Sequence, residues 1–196
     1  LFNSLNSIQE FIINQDKRSA NRYLSKFSRL MRNILNMSAL EEVDLQKEIE
    51  SLDLYLSLEA LRFEENFEYK IELDPNVDSE LTMIPPMVVQ PYVENAVKHG
   101  LLHKTGPKKL TVRFRMEKDF LVCEVVDNGI GRKKSEEIKK RESHLYSSKA
   151  MSLTQERLDL LNSTHKNQLS VEIIDLKDLM QIPIGTKVIL RISLKK

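Results

Sequence analysis

Neither glycine nor proline occurs before Pro75. In a helix interior glycine costs about 1 kcal/mol and proline ~3 kcal/mol relative to alanine, so a stretch without either predicts long, unbroken helices. The apolar residues agree. Leu1, Leu5, Ile8 and Ile12 form one helical stripe. The polar run Asn14 to Lys17 interrupts it, and Asp16 can cap a new start. A second stripe follows through Ala20, Leu24, Phe27, Met31 and Ile34, widened by Tyr23, Leu30 and Leu35, with Lys26, Arg29 and Arg32 on the remaining face. Ser38 to Asp44 reads as a connection with Asp44 as the next cap. A third stripe then runs Leu45, Ile49, Leu52, Leu56, Ala60 and Phe63. Two or three helices alone make a thin core, so pairing with a second copy into a bundle is the expected way to bury these stripes. Packing on the chain's own second domain is the alternative.

After Glu64 the period changes from helical to alternating. Phe67, Tyr69, Ile71 and Leu73 point one way and Glu68, Lys70 and Glu72 the other, the pattern of a half-buried strand. Pro85-Pro86 predicts a helix from Met87 to about Leu101. Strands are expected at Leu110–Met116 and Phe120–Asp127, joined by a polar turn, and again near Leu169–Ile174 and Lys187–Leu194. Arg132–Arg141 and Ser152–Leu161 read as helices. Strands linked mostly as hairpins and mixed with helices predict an α+β fold, with a two-layer sandwich behind the helical region.

Composition narrows the function classes. The 196 residues carry 30 Lys and Arg against 29 Asp and Glu, a net charge of +1, which gives no footing for nucleic acid or an anionic membrane surface. A lone cysteine, Cys123, rules out an internal disulfide framework and a cysteine-based zinc site. Its setting in Phe120-Leu-Val-Cys-Glu-Val-Val predicts a buried, inert thiol. No run approaches the roughly 18 apolar residues of a membrane span. The chain opens Leu1-Phe2-Asn3 inside a helical pattern and reads as a fragment, so this says little about its parent.

Two constellations carry chemistry. In Gln90-Pro-Tyr-Val-Glu-Asn-Ala-Val-Lys-His-Gly100, Glu94 and Lys98 are four apart, as are Asn95 and His99, so the four polar groups share one side of a helix. Val89, Val93, Ala96 and Val97 can take the other. Such a set suits a magnesium–triphosphate, although a solvated face with an ordinary Glu–Lys pair has the same spacing. The second is Asp127-Asn-Gly-Ile-Gly131 at the end of an apolar strand, where a carboxylate can accept from an exocyclic amine and two glycines let backbone approach a flat ring. A plain Asn-Gly turn would look similar.

Together, in this order and about thirty residues apart, the two resemble the Bergerat-fold (GHKL) ATPases. The opening Leu-Phe-Asn-Ser-Leu-Asn-Ser-Ile, the run from Ile84-Pro-Pro to His99-Gly100, and Leu54-Tyr-Leu with Leu61-Arg-Phe are similar to the LytS-type sensor histidine kinases. That resemblance implies a dimerising helical region over 1–66 and an ATP-binding domain of the Bergerat fold over 67–196. It implies that Asn95 holds Mg2+, that Glu94 beside it orients the transfer, and that Lys98 and His99 reach the phosphates of ATP. Asp127 would read the adenine amine, Gly129 and Gly131 would shape the pocket, and Thr186 after Gly185 would support the adenine site. The activity implied is autophosphorylation on histidine followed by transfer to a response-regulator aspartate. The implied setting is a homodimer at the cytoplasmic face of a bacterial inner membrane, in a membrane-anchored parent.

Two departures stand against the family pattern. The family's acceptor histidine lies just upstream of Leu-Phe-Asn, and none of His99, His103, His144 and His165 matches it. Where the family often has a glycine box, this chain has Ala150-Met-Ser-Leu153, with Ser152 left to cap a helix facing phosphate and a charged lid expected over Arg132–Lys149. The altered box keeps open a nucleotide-binding pseudokinase without phosphotransfer. A serine kinase acting on an anti-anti-sigma partner fits the helical preamble less well.

Overall fold

The computed structural model of the chain describes residue 13 and residues 16–63, 66–142 and 169–194. The expected stripe over Leu1–Ile12 and the expected helix over Ser152–Leu161 lie outside the described residues.

Helix α1 spans Lys17–Ser38 and starts where Asp16 can cap it: the Asp16 carboxylate accepts from the Ser19 N–H at 2.9 Å, satisfying one of the donors a helix start leaves open. Its apolar stripe divides. Tyr23, Leu30 and Met37 are buried, with Phe27 and Ile34 partly so, a seam of helical spacing laid on the next helix. Leu24 and Leu35 face outward, Leu35 at 65% exposure. The broad stripe read from sequence is therefore one edge for the core and one edge that no described residue covers.

Helix α2 spans Leu45–Phe63, and the Asp44 carboxylate accepts from the Lys47 N–H at its start, at 2.9 Å. Leu45, Leu52 and Leu56 of the expected stripe are fully buried. A second face of α2 is buried as well, and it is polar: Glu48, Ser51 and Glu59. Glu48 has no exposed surface, and its carboxylate accepts from the Met87 N–H at 2.7 Å and the Val89 N–H at 3.1 Å. Strand β1 (Val43–Asp44) pairs antiparallel with β3 (Met83–Ile84) beside it, so α2 is tied at two points to the segment leading into the later site. Truncation of Glu48 would strand one buried and one partly buried backbone donor, at about 1–3 kcal/mol each. Glu48→Ala is accordingly expected to lower the unfolding free energy by roughly 2–5 kcal/mol, read from urea titration; a loss below 1 kcal/mol would show that the tie is dispensable.

The sheet holds β2 (Phe67–Leu73), β4 (Lys108–Glu117), β5 (Phe120–Asp127), β6 (Leu169–Lys177) and β7 (Pro183–Ser193) in the order β2-β4-β5-β7-β6. The β4–β5 and β6–β7 neighbours are antiparallel hairpins, the first joined by the expected polar turn. β2 and β4 run parallel, which needs a crossover. That crossover contains helix α3, Gln90–Asn95, prolonged by a π-helical turn over Ala96–Leu101. Leu110, Val112, Phe114, Leu121, Cys123, Val125, Leu190 and Ile192 are buried between sheet and helices. Burial pushes the Cys123 thiol well above its ordinary range, as an inert core residue requires. The opposite face is charged, with Glu124 held by Lys187 at 3.0 Å and Arg115 at 3.3 Å. The result is the α+β two-layer arrangement that the sequence predicts.

Candidate functional site

The site is built where the crossover helix meets the ends of β5 and β7. The helix starts three residues later than the double proline suggests, at Gln90 rather than Met87. Met87 instead adopts a positive φ of 54°, in the turn that Glu48 grips. Pro91 takes the first helical turn, where a missing N–H costs nothing.

From there the division of faces follows the spacing. Val89, Val93, Ala96 and Val97 are buried; Glu94, Asn95, Lys98 and His99 are half-buried together on the other side. The Lys98 ammonium meets the Glu94 carboxylate at 2.6 Å, and the Gln90 amide nitrogen donates to the same group at 3.2 Å. The helix then widens: the Leu102 N–H reaches the Val97 carbonyl, five residues back, at 2.9 Å, a π turn of the kind often found at functional sites.

That turn carries Gly100 against the second constellation. The Ile130 N–H donates to the Gly100 carbonyl at 3.1 Å. A Cβ placed on Gly100 would stand 2.8 Å from an oxygen of the Asp127 carboxylate. Asp127 ends β5 facing the helices, only 4% exposed, and pairs across the ladder with Thr186 of β7. Burial pushes its carboxyl up to about 6, against the N–H groups of Gly129 and Thr186, which favour the ionised form. The Gly129 N–H donates to it at 2.7 Å. Gly100 lies five residues beyond Asn95, about 7 Å of helical rise. The fold thus sets Gly100, at the end of the helix that carries Glu94, Asn95, Lys98 and His99, against Asp127 and Gly129, with Thr186 beside Asp127 in the ladder.

This arrangement can do specific chemistry. A desolvated carboxylate at the strand end can accept one polar hydrogen, and the half-buried row on the helix offers an ammonium, an amide, an imidazole and a carboxylate.

Comparison with known proteins gives this geometry its setting. The histidine kinase family model matches residues 1–67. Sensor protein LytS of Staphylococcus epidermidis is 33% identical over 130 residues, which are 66% of this chain and 22% of that protein. Over these stretches the chain is similar to sensor histidine kinases. The histidine kinase domain of a blue-light activated histidine kinase from Erythrobacter litoralis shares its fold, with a TM-score of 0.54 at 14% identity over 93% of this chain and 83% of that one. Histidine kinase ThkA, solved in complex with response regulator protein TrrA, aligns with a TM-score of 0.50 at 16% identity over 98% of this chain and 58% of that one. The chain spans about a fifth of the length of the curated relatives it matches.

Two of the glycines have close protein neighbours. A Cβ on Gly129 would lie 2.4–2.5 Å from the backbone of Gly100. Gly131, at φ +76°, would push a Cβ to 2.7 Å from Pro183. Both are small so that the loop can seat on protein. The expected lid begins as helix α4, Arg132–Glu142, and Arg132 grips Asp175 of β6 with two bonds of 2.7 and 2.9 Å. The rest of the lid, the box at Ala150 with Ser152, and His144 and His165 lie outside the described residues. Sequence reasoning passed over Glu48 and Gly100. A charged residue flanking an apolar stripe, and a glycine closing Lys98-His99-Gly100, were the available signals.

Proposed function

We propose that the chain is the helical and ATP-binding part of a sensor protein-histidine kinase. Residues 1–66 form the dimerising region and 67–196 the catalytic domain. The parent autophosphorylates on a histidine carried upstream of Leu1 and passes the phosphoryl group to a response-regulator aspartate. The observation that carries this reading is the buried Asp127 carboxylate, set against Gly100 at the end of the same helix that bears Glu94, Asn95, Lys98 and His99.

In this reading Asp127 accepts a hydrogen bond from the adenine amine, and Thr186 opposite supports the ring. Lys98 and His99 meet the phosphates, and Glu94 orients the transfer. Magnesium fits the donor set present. The ion prefers oxygen and keeps several waters alongside phosphate ligands, so one or two protein oxygens suffice. Asn95 offers the amide oxygen beside Glu94, while no group of three or more His, Cys, Asp or Glu that could hold a metal occurs among the described residues. Charge neutralisation between the outer phosphates is what the bound ion supplies.

The exposed edge of α1, with Leu24 and Leu35, supports a homodimer through the helical region. No helix among the described residues is long and apolar enough to cross a membrane; anchoring of the parent at the cytoplasmic face of a bacterial inner membrane belongs to the same proposal.

The test is nucleotide binding to this chain by calorimetry. Asn95→Ala is expected to weaken Mg-ATP at least tenfold, the scale of one lost metal ligand or its support, and to leave ATP in excess chelator unchanged. Equal Mg-ATP affinity in both proteins would remove the metal role from Asn95. In a longer chain that includes the upstream histidine, acid-labile label from γ-labelled ATP is expected, and its absence despite binding would favour the pseudokinase reading.

A further inference from the structure

The open start of α2 and the lead-in to the crossover helix complete one another. The N–H groups of Leu45 and Gln46, which a helix start leaves without intrahelical partners, donate to the carbonyls of Thr82 at 2.8 Å and Ser79 at 2.9 Å. In return Glu48, one turn further along α2, accepts from the N–H groups of Met87 and Val89. Val89 caps the crossover helix with no side-chain hydrogen bond of its own, so the brace at that helix start comes from α2. Met87 needs the brace. Its φ of 54° is left-handed backbone, which a residue carrying a Cβ adopts only against steric cost, and it follows two prolines whose φ is fixed by their rings. Two N–H bonds to a single carboxylate, one on either side of Val88, close the turn in that shape.

We propose that Glu48 is a positioning residue for the nucleotide site: by holding Met87 in the left-handed turn it fixes where the crossover helix starts, and so where Asn95 and Lys98 stand relative to Asp127. This rests on the reading above, in which those residues serve one nucleotide. The far end of the helix is anchored by the bond from the Ile130 N–H to the Gly100 carbonyl, and Asp127 belongs to the sheet. The near end is set from α2. Asn95 stands six residues past Val89, about 9 Å of helical rise, so a start that tilts or slips moves the amide while the Asp127 carboxylate stays. Helix α1 lies on the same α2. The Ser51 hydroxyl, one turn past Glu48, donates to the Met37 sulfur at 4.0 Å, and Lys26 donates to the Ser57 hydroxyl at 2.8 Å. The position of the helical region reaches the site through Glu48.

The measurement is Mg-ATP affinity by calorimetry on the whole chain, at a temperature where circular dichroism shows every variant folded. Glu48→Gln keeps the size of the side chain and one acceptor oxygen, and is expected to weaken Mg-ATP on the order of tenfold, the scale of losing an outer-shell partner. Met87→Gly allows the left-handed turn without strain, so it is expected to bind as the wild type does and to bring Glu48→Gln back to within about threefold of it. Leu52→Ala destabilises the same helix through a buried leucine away from the turn, and its affinity is expected to match the wild type. A role confined to stability would leave all the folded variants alike, with nothing for Met87→Gly to rescue. Unchanged affinity in Glu48→Gln, a loss that Met87→Gly does not relieve, or an equal loss in Leu52→Ala overturns the inference while the nucleotide site stands. If the wild-type chain does not bind Mg-ATP, the underlying reading fails and this one with it. Should Glu48→Gln not fold, Met87→Val decides from the other side of the contact, because branching at Cβ makes left-handed backbone harder still: a similar loss supports the inference, and any other result removes it.

Discussion

Asp127→Asn is expected to cost the chain at least about thirtyfold in nucleotide affinity, the lower end of what truncating one partner of a buried charged hydrogen bond costs. The same substitution is expected to flatten the acid limb of its stability curve. Both effects come from the burial of this carboxylate. Lifted from 3.8 to about 6 chiefly by desolvation, the group binds its proton more tightly folded than unfolded. Its contribution to stability is therefore greatest at low pH and declines as pH rises from about 4 through 6, by ~3 kcal/mol in all. The ionised form that burdens the fold above pH 6 is the form that accepts from an adenine amine. Wild-type affinity should then fall as pH drops below 6, while the asparagine variant stays weak and nearly pH-independent across that range. Calorimetry at pH 5.0 and 7.5, with urea titrations at the same values, reads both signs. Unaltered affinity in the variant at pH 7.5 would take the adenine contact away from Asp127.

Gly129→Ala is expected to do the larger structural damage. Its Cβ would lie 2.4–2.5 Å from the α-carbon, carbonyl carbon and oxygen of Gly100, all backbone, so no side chain can swing aside. The two segments are also joined by the Ile130–Gly100 hydrogen bond of 3.1 Å. Relief requires moving the loop off the helix, which breaks that bond and uncovers Asp127. A loss of about 3 kcal/mol or more is expected, the upper range for a single substitution that strains the backbone and overpacks a core. The variant should melt on the order of 10 °C below wild type and bind no nucleotide. Wild-type melting in Gly129→Ala would mean that the loop yields easily and that the close approach has no structural role.

Much of this was legible in the chain itself because periodicity reports burial directly. The spacing of Val89, Val93, Ala96 and Val97 told which side of the crossover helix was apolar, and the apolar run from Phe120 to Val126 told that a strand ends in the Asp127 carboxylate. What escaped detection depends on partners distant in sequence. Glu48 reads as one more surface charge until its two backbone donors, about forty residues away, are known. The split of the α1 stripe, with Tyr23 inward and Leu24 outward, depends on where α2 lies. That Gly129 and Gly131 also sit against Gly100 and Pro183 depends on partners the local sequence does not name. The parallel pairing of β2 with β4 needed knowledge of where the crossover returns. The helix start was misplaced because a double proline signals a beginning, whereas the chain there makes a turn braced by another helix.

The widened turn at Ala96–Leu101 has one more consequence. It holds an additional residue in its last loop of chain, and that surplus carries Gly100 to the strand end while Asn95 and Lys98 stay on their own side. Shortening it by one residue would leave an acceptable helix whose tail is rotated by about 100°, with the Gly100 carbonyl turned from Ile130 and a side-chain-bearing position pressed on Asp127. The two halves of the site are in phase because of this one irregular winding, so length at this point of the chain matters as much as the identity of the residues in it.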